Sequence, residues 1–225
     1  TVITDKAYTN KIINKEEANN NKSIALFEIA KIKMKSDAKE AIKLIEKAIS
    51  IKKNFPPYIK LYLEILFTTN NLSKIKKVLK KQWTESPSSL LRSSITDVIK
   101  NNNVREIDFI KNFIVRNANN EESKKLLIDF AIYLNEWSIA REAIKGLIGP
   151  KPSKELCLFM SAIELGEFND IQKSEGWKLR ANNADLDNYW VCKITNTPQK
   201  EWSTLSDSGH FNSLEWRQPK MLSVL

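Results

Sequence analysis

At 225 residues and 25.9 kDa, with 42% apolar residues, the chain can bury one large core or two small ones and is no disordered tail. Five Gly and seven Pro are too few for the corners of a β-sandwich or barrel, and a single His, His210, excludes most imidazole-based catalysis and metal binding. Two cysteines, Cys157 and Cys192, cannot build a disulfide framework, and the formal charge of +9 resides in residues 1–100, where 20 Lys/Arg face 10 Asp/Glu.

That basic half is built from Lys rather than Arg and carries no reader motif, so no nucleic-acid partner is expected. Lys, Asn and Ile rise together, as in Asn19–Asn21 and Asn101–Asn103. AT-rich coding produces this trio without any functional demand; an acidic partner or a membrane surface is the other reading.

The opening TVITDKAYTN has no apolar core, so it does not read as a signal peptide, and a first residue of Thr suggests a fragment or processed chain. No stretch approaches the ~20 apolar residues needed to span a bilayer. Residues 1–22 read as an N-terminal helix or partial repeat. From residue 23 to residue 184 the apolar residues recur at helical spacing. Ala25, Leu26, Ile29, Ala30 and Ile32 make a first stripe, and Ala41, Leu44, Ile45, Ala48 and Ile49 a second. Asp37 and Glu40 between them have the spacing of a capping box. Helices follow over 58–69 and 72–83, split at Asn70-Asn71, and Ser86-Pro87 opens the next with Pro at its first position. The set continues over 88–100, 104–116, 121–134, 138–148, 153–165 and 171–182. About ten antiparallel helices are expected, with no strand before Asp185.

Aligning Ala41, Ile45 and Ala48 with Ile75, Leu79 and Gln82 gives an offset of 34 residues, and Ala140, Ile144 and Leu147 form a third copy. Thirty-four residues is the tetratricopeptide period, so the fold predicted is all-α: antiparallel helical hairpins in a tetratricopeptide-like solenoid, with a small irregular or β C-terminal tail. An irregular helical bundle is the alternative. Solenoid grooves hold peptides or helices, and Tyr58, Tyr62 and Tyr133 are the candidate partner-binding residues, each equally suited to packing between hairpins. The lysines of Lys74–Lys81 read as a solvated outer face, since Ile75, Val78 and Leu79 fit a core.

Residues 185–225 change character: Tyr189, Trp190, Trp202, Phe211 and Trp216 crowd among Asn, Thr, Ser and Pro. Alternation over 190–194 and 211–216 predicts two short strands around a loop, an aromatic cap docked on the last helices. A zinc ribbon needs two Cys-x-x-Cys pairs. Here Cys192 is followed by Thr195, and Ser206 and Ser208 stand where the second pair belongs, so the tail is a degenerate, metal-free ribbon. Glu121-Glu122 and Asp185/Asp187 read as helix-start and turn residues, and Cys157 as a small core residue. No catalytic, cofactor-binding or metal-ligating residues are assigned.

Several stretches are similar to the C-terminal region of the HemY family, bacterial inner-membrane proteins with tetratricopeptide repeats. They are 41–81 with Pro56-Pro57, the helix exit through Trp83 to Pro87, and 130–143 with Trp137. Gly176-Trp177 to Ala184 follows, then Trp190-Val-Cys192 through Trp202 to Phe211, Trp216 and Pro219. The likeness runs from about residue 23 to 219. Relatives often have more tail cysteines than this chain. The resemblance implies two N-terminal membrane spans absent here, an inner-membrane location, and repeats facing the cytoplasm. It further implies a non-enzymatic scaffold accessory to haem and protoporphyrin synthesis, with protein partners, haem-pathway enzymes among them. Direct haem or porphyrin binding through Cys192 or His210, or a repeat adaptor for an unrelated membrane complex, are the alternatives.

Overall fold

The computed structural model describes residues 2–185 and 188–219; of the turn pair proposed above, Asp187 lies outside the described residues. Eleven α-helices are described: α1 (Val2–Thr9), α2 (Lys15–Lys33), α3 (Ala38–Ile51), α4 (Pro56–Thr68), α5 (Leu72–Glu85), α6 (Ser89–Asn101), α7 (Ile107–Ile114), α8 (Glu121–Leu134), α9 (Trp137–Ile144), α10 (Lys154–Phe168) and α11 (Ile171–Asn182). Three strands follow, β1 (Tyr189–Cys192), β2 (Pro198–Gln199) and β3 (Leu214–Arg217). The fold is thus helical hairpins with a small β tail. Contacts gather into two compact units, Thr1–Ser123 and Lys124–Leu225.

Helix ends explain the scarcity of glycine. Asn70, Asn103, Asn135 and Asn169 all have positive φ, and each follows the first helix of a hairpin. Asparagine tolerates the left-handed conformation because its short amide bonds locally, so it does here what Gly usually does. At Asn135 the motif is complete: Asn135 N–H donates to Ile132 O at 3.1 Å and Glu136 N–H to Ala131 O at 2.8 Å. The same pair of bonds recurs at Asn70 and Asn103. These turns stand 33, 32 and 34 residues apart, so the repeat is punctuated by asparagine.

N-terminal caps differ in part from expectation. Asp37 accepts from Glu40 N–H at 2.9 Å, but the reciprocal half of the box is not formed, because Asp37 N–H already donates to Lys33 O at 2.7 Å. A full capping box occurs instead at α2, between Asn14 and Glu17. Pro87 does not open α6; Ser88 caps it, accepting from Leu91 N–H at 3.2 Å.

In the Thr1–Ser123 unit, α2 pairs with α3 and α4 with α5, while α4 also packs on α3 and α6, and α5 on α7. First helix on first helix and second on second is the stacking of a tetratricopeptide-like solenoid. The central α4 is consequently buried nearly all round, with Tyr58, Ile59, Leu63, Ile65 and Leu66 inside. The aligned repeat positions are core: Ala41, Ile45, Ala48, Ile75 and Leu79 are fully buried, and Gln82 is buried where the first copy has Ala48. The α2 stripe is shifted. Ile29 and Ile32 are exposed, Ile32 by 73%, and Ser23, Ile24, Leu26, Phe27 and Ala30 face inward. Trp83 locks α5 onward: its indole N–H donates to Ser123 Oγ at 2.7 Å, and its ring meets Phe113 edge-on at 6.0 Å.

In the Lys124–Leu225 unit α10 packs on α9 and α11. Ala140 and Ile144 of the third copy are in its core with Cys157, Ile163 and Ala181, whereas Leu147 lies beyond α9 and is only half-buried. Gly166 on α10 admits the Trp137 ring of α9: a Cβ at Gly166 would lie 2.3 Å from Cη2. The tail forms a sheet of order β2-β1-β3, antiparallel throughout, with Trp190 opposite Trp216 and Cys192 opposite Leu214. The two expected strands are β1 and β3; β2 adds a two-residue rung within the loop, and Phe211 makes only an isolated bridge to Leu205. Trp190 and Trp216 pack edge to face at 5.5 Å.

Candidate functional site

Helices α3 and α5 both pack on α4, and between them lies a groove of about 1000 Å³. Its floor is set by Ile49 of α3, Ile59 and Tyr62 of α4, and Val78 of α5. Lys53 follows α3, and Lys74, Lys77 and Lys81 rise from α5 at the spacing of one helical face. The lysine block therefore divides: Ile75 and Leu79 are core as expected, whereas Lys74, Lys77, Val78 and Lys81 line a groove rather than a featureless outer face.

At one wall three groups are coupled. Tyr62 Oη donates to Glu46, and Lys74 Nζ reaches the same Glu46 Oε1 at 2.9 Å while lying 5.6 Å from the Tyr62 ring centroid. Burial pushes the Tyr62 hydroxyl up to about 12, reinforced by its bond to Glu46. Burial also acts to raise Glu46, but the Tyr62 and Lys74 hydrogen bonds outweigh it and hold the carboxyl below its usual range. Hydrogen bonds to Glu46 and Tyr62 raise Lys74. This wall is a satisfied charge pair. Beyond it, Lys81 lies 4.0 Å from Glu85, and Lys53 and Lys77 have no carboxylate partner among the described residues.

The three sequence-selected tyrosines separate. Tyr62 is at this wall. Tyr58 is 0% exposed and offers a partner no surface: its ring stacks on Phe27 at 5.2 Å, and its hydroxyl lies 3.0 Å from Ser23 Oγ. Burial drives that hydroxyl up to about 12. Tyr133 is half-buried, with its ring 5.6 Å from Phe130. The residues that sequence reading missed as a site are Ile49, Lys53, Lys77 and Val78. Their signal was present only as a lysine spacing on α5, without the facing edge of α3.

The tail presents a different chemistry. Two tight turns, each reversed by a left-handed residue (Asn196 and Gly209), bring Thr195 Oγ1 within 2.9 Å of Ser208 Oγ, which lies 3.3 Å from Ser206 Oγ. Hydroxyls thus meet where a ribbon would carry thiolates. The Cys192 thiol is fully buried, 3.3 Å from Ser213 Oγ. Burial acts to raise it, but hydrogen bonding with Ser213, with the Thr195 side chain and with the backbone of Thr195 and Ile194 brings it down to about 5. His210 contributes backbone bonds to this corner: its N–H donates to Ser206 Oγ at 3.1 Å, and its carbonyl accepts from Ser213 Oγ at 3.0 Å. Among the described residues no three of His, Cys, Asp and Glu come together as a metal would need. One thiol with three hydroxyls is a poor donor set for zinc.

Cys157 is buried in α10, and burial raises its thiol. Glu122 at the start of α8 is an ion-pair residue, accepting from Arg92 Nε at 2.8 Å, and Asp185 is exposed. No described helix is long and apolar enough to cross a membrane. Comparison with models of known protein families and with curated protein sequences finds no match for this chain.

Proposed function

We propose that this chain is a non-catalytic docking platform: a helical-repeat scaffold that recruits a protein partner. The single observation that carries the reading is the lysine-rimmed, apolar-floored groove held between α3 and α5. Stacked hairpins supply such grooves on a rigid frame, because each hairpin is fixed by its neighbours and the exposed edges stay free. The finer proposal is that the platform serves haem and protoporphyrin synthesis from the bacterial inner membrane, anchored through N-terminal spans outside this chain. Its support is the set of residue likenesses from Ala41 to Pro219.

The test is affinity capture from detergent-solubilised bacterial membranes with the immobilised chain, read by mass spectrometry against an unrelated helical-repeat control. The proposal expects haem-pathway enzymes among the proteins specific to this chain. Specific partners without any haem-pathway enzyme would refute the pathway assignment, and an output identical to the control would refute the platform.

A further inference from the structure

The geometry points to one class of occupant for the α3/α5 groove: an acidic, amphipathic helical segment of a protein partner. This rests on the docking-platform reading and specifies its ligand. The occupant would set apolar residues down on Ile49 and Val78, both half-buried, and turn carboxylates outward to Lys53, Lys77 and Lys81.

Three features select this chemistry. Ile49 of α3 and Val78 of α5 are the half-buried apolar residues of the groove, and a free phosphate or a single carboxylate would leave them in water. The lysines do not converge. Lys74, Lys77 and Lys81 are spaced along α5 over roughly 10 Å at 1.5 Å per residue, which suits charges repeated along a helix and not one compact anion. Lys74 is already satisfied by Glu46, leaving the rim positive at Lys53 and Lys77, which have no carboxylate partner among the described residues. A membrane surface would meet the same lysines, but it presents a plane, whereas Ile49 and Val78 are half-buried between two helices.

The experiment titrates a fluorescent amphipathic peptide of Leu and Glu, of the same 14-residue length as α5, into the protein and follows anisotropy. A Leu/Lys peptide of the same pattern is the charge control. Variant K53E/K77E/K81E reverses the rim; K43E/K47E/K80E makes the same charge change at lysines outside the groove. Circular dichroism melts establish that both variants fold. The expected result is saturable binding of the Glu peptide alone, weakened on the order of tenfold or more by the rim variant and little by the other. The Lys peptide should bind the rim variant better than wild type.

Equal binding of both peptides, equal loss in both variants, or no Glu-peptide binding overturns the assignment. So does rim-dependent binding to phosphatidylserine vesicles without peptide binding, which would make the surface a membrane contact. Membrane capture with the rim variant separates this failure from that of the platform. A partner held by wild type and rim variant alike keeps the platform and removes the groove as its site. A variant that loses the partner supports both. Should neither protein capture a partner, the platform fails while the peptide titration still decides the groove.

Discussion

Replacing Gly166 by alanine should destabilise the Lys124–Leu225 unit even though alanine is the better helix former. The new Cβ would lie 2.3, 2.4 and 2.6 Å from Cη2, Cζ2 and Cζ3 of Trp137. Carbon atoms rest at about 3.5–4.0 Å, so the indole must retreat by more than about 1 Å. Its ring is rigid and its backbone begins α9, so the shift has to come from an off-rotamer side chain or from helix movement. Overpacking of this kind costs about 1–3 kcal/mol, against a helix-propensity gain of up to about 1 kcal/mol. The net expectation is a loss of about 1–2 kcal/mol. Urea unfolding of G166A, W137L and the double variant, followed by circular dichroism, measures it as a cycle. In the W137L background the same alanine should be neutral or stabilising. A G166A protein with a higher urea midpoint than wild type would refute the reasoning, because the ring could not then be resting on the glycine.

Other substitutions probe other links. Asn135→Ala should cost about 1 kcal/mol by forcing a Cβ-bearing residue without a local amide into the left-handed turn, while Asn135→Gly should be neutral or better; thermal melts of the pair read the contrast. Trp83→Phe removes the indole donor to Ser123 and leaves a void, and should cost about 2–4 kcal/mol in urea unfolding. Glu46 has a folded pKa below 4.5, so its contribution is complete above that value and disappears as pH falls through the folded one. Stability of Glu46→Gln, followed by melting from neutral to acid pH, should therefore fall less steeply below pH 4.5 than wild type, by no more than about 1 kcal/mol because the pair is partly exposed.

The helices were legible because burial imposes a 3.6-residue period on them, and α8 and α11 begin and end where the pattern predicts. The 34-residue offset was legible for the same reason: Ala41 and Ile75 occupy one position in successive hairpins. The asparagines were legible in part, since Asn70-Asn71 reads as a break between helices and is one. The run Asn101–Asn103 reads as coding bias, yet Asn103 is one of the left-handed residues at which four hairpins turn, a role that composition cannot separate from bias. Ile29 and Ile32 fit a helical stripe, but which side of α2 meets α3 and α4 is decided by tertiary packing, and the inward side carries Ser23 because it meets the Tyr58 hydroxyl 35 residues away. The groove was half legible. Lysines at 74, 77 and 81 share a face in the sequence, yet only the fold sets Ile49 and Lys53 opposite them and lets Glu46 neutralise Lys74.

Photo-crosslinking in cells tests the docking claim most directly, with the photoreactive residue placed at Lys77 in the groove or at Lys80 outside it, in the full-length protein. The account predicts adducts from position 77 to one or a few proteins, mapping to a carboxylate-rich helical segment, and none of these from position 80. Equal yields from both positions, or no protein adduct from position 77, would contradict it.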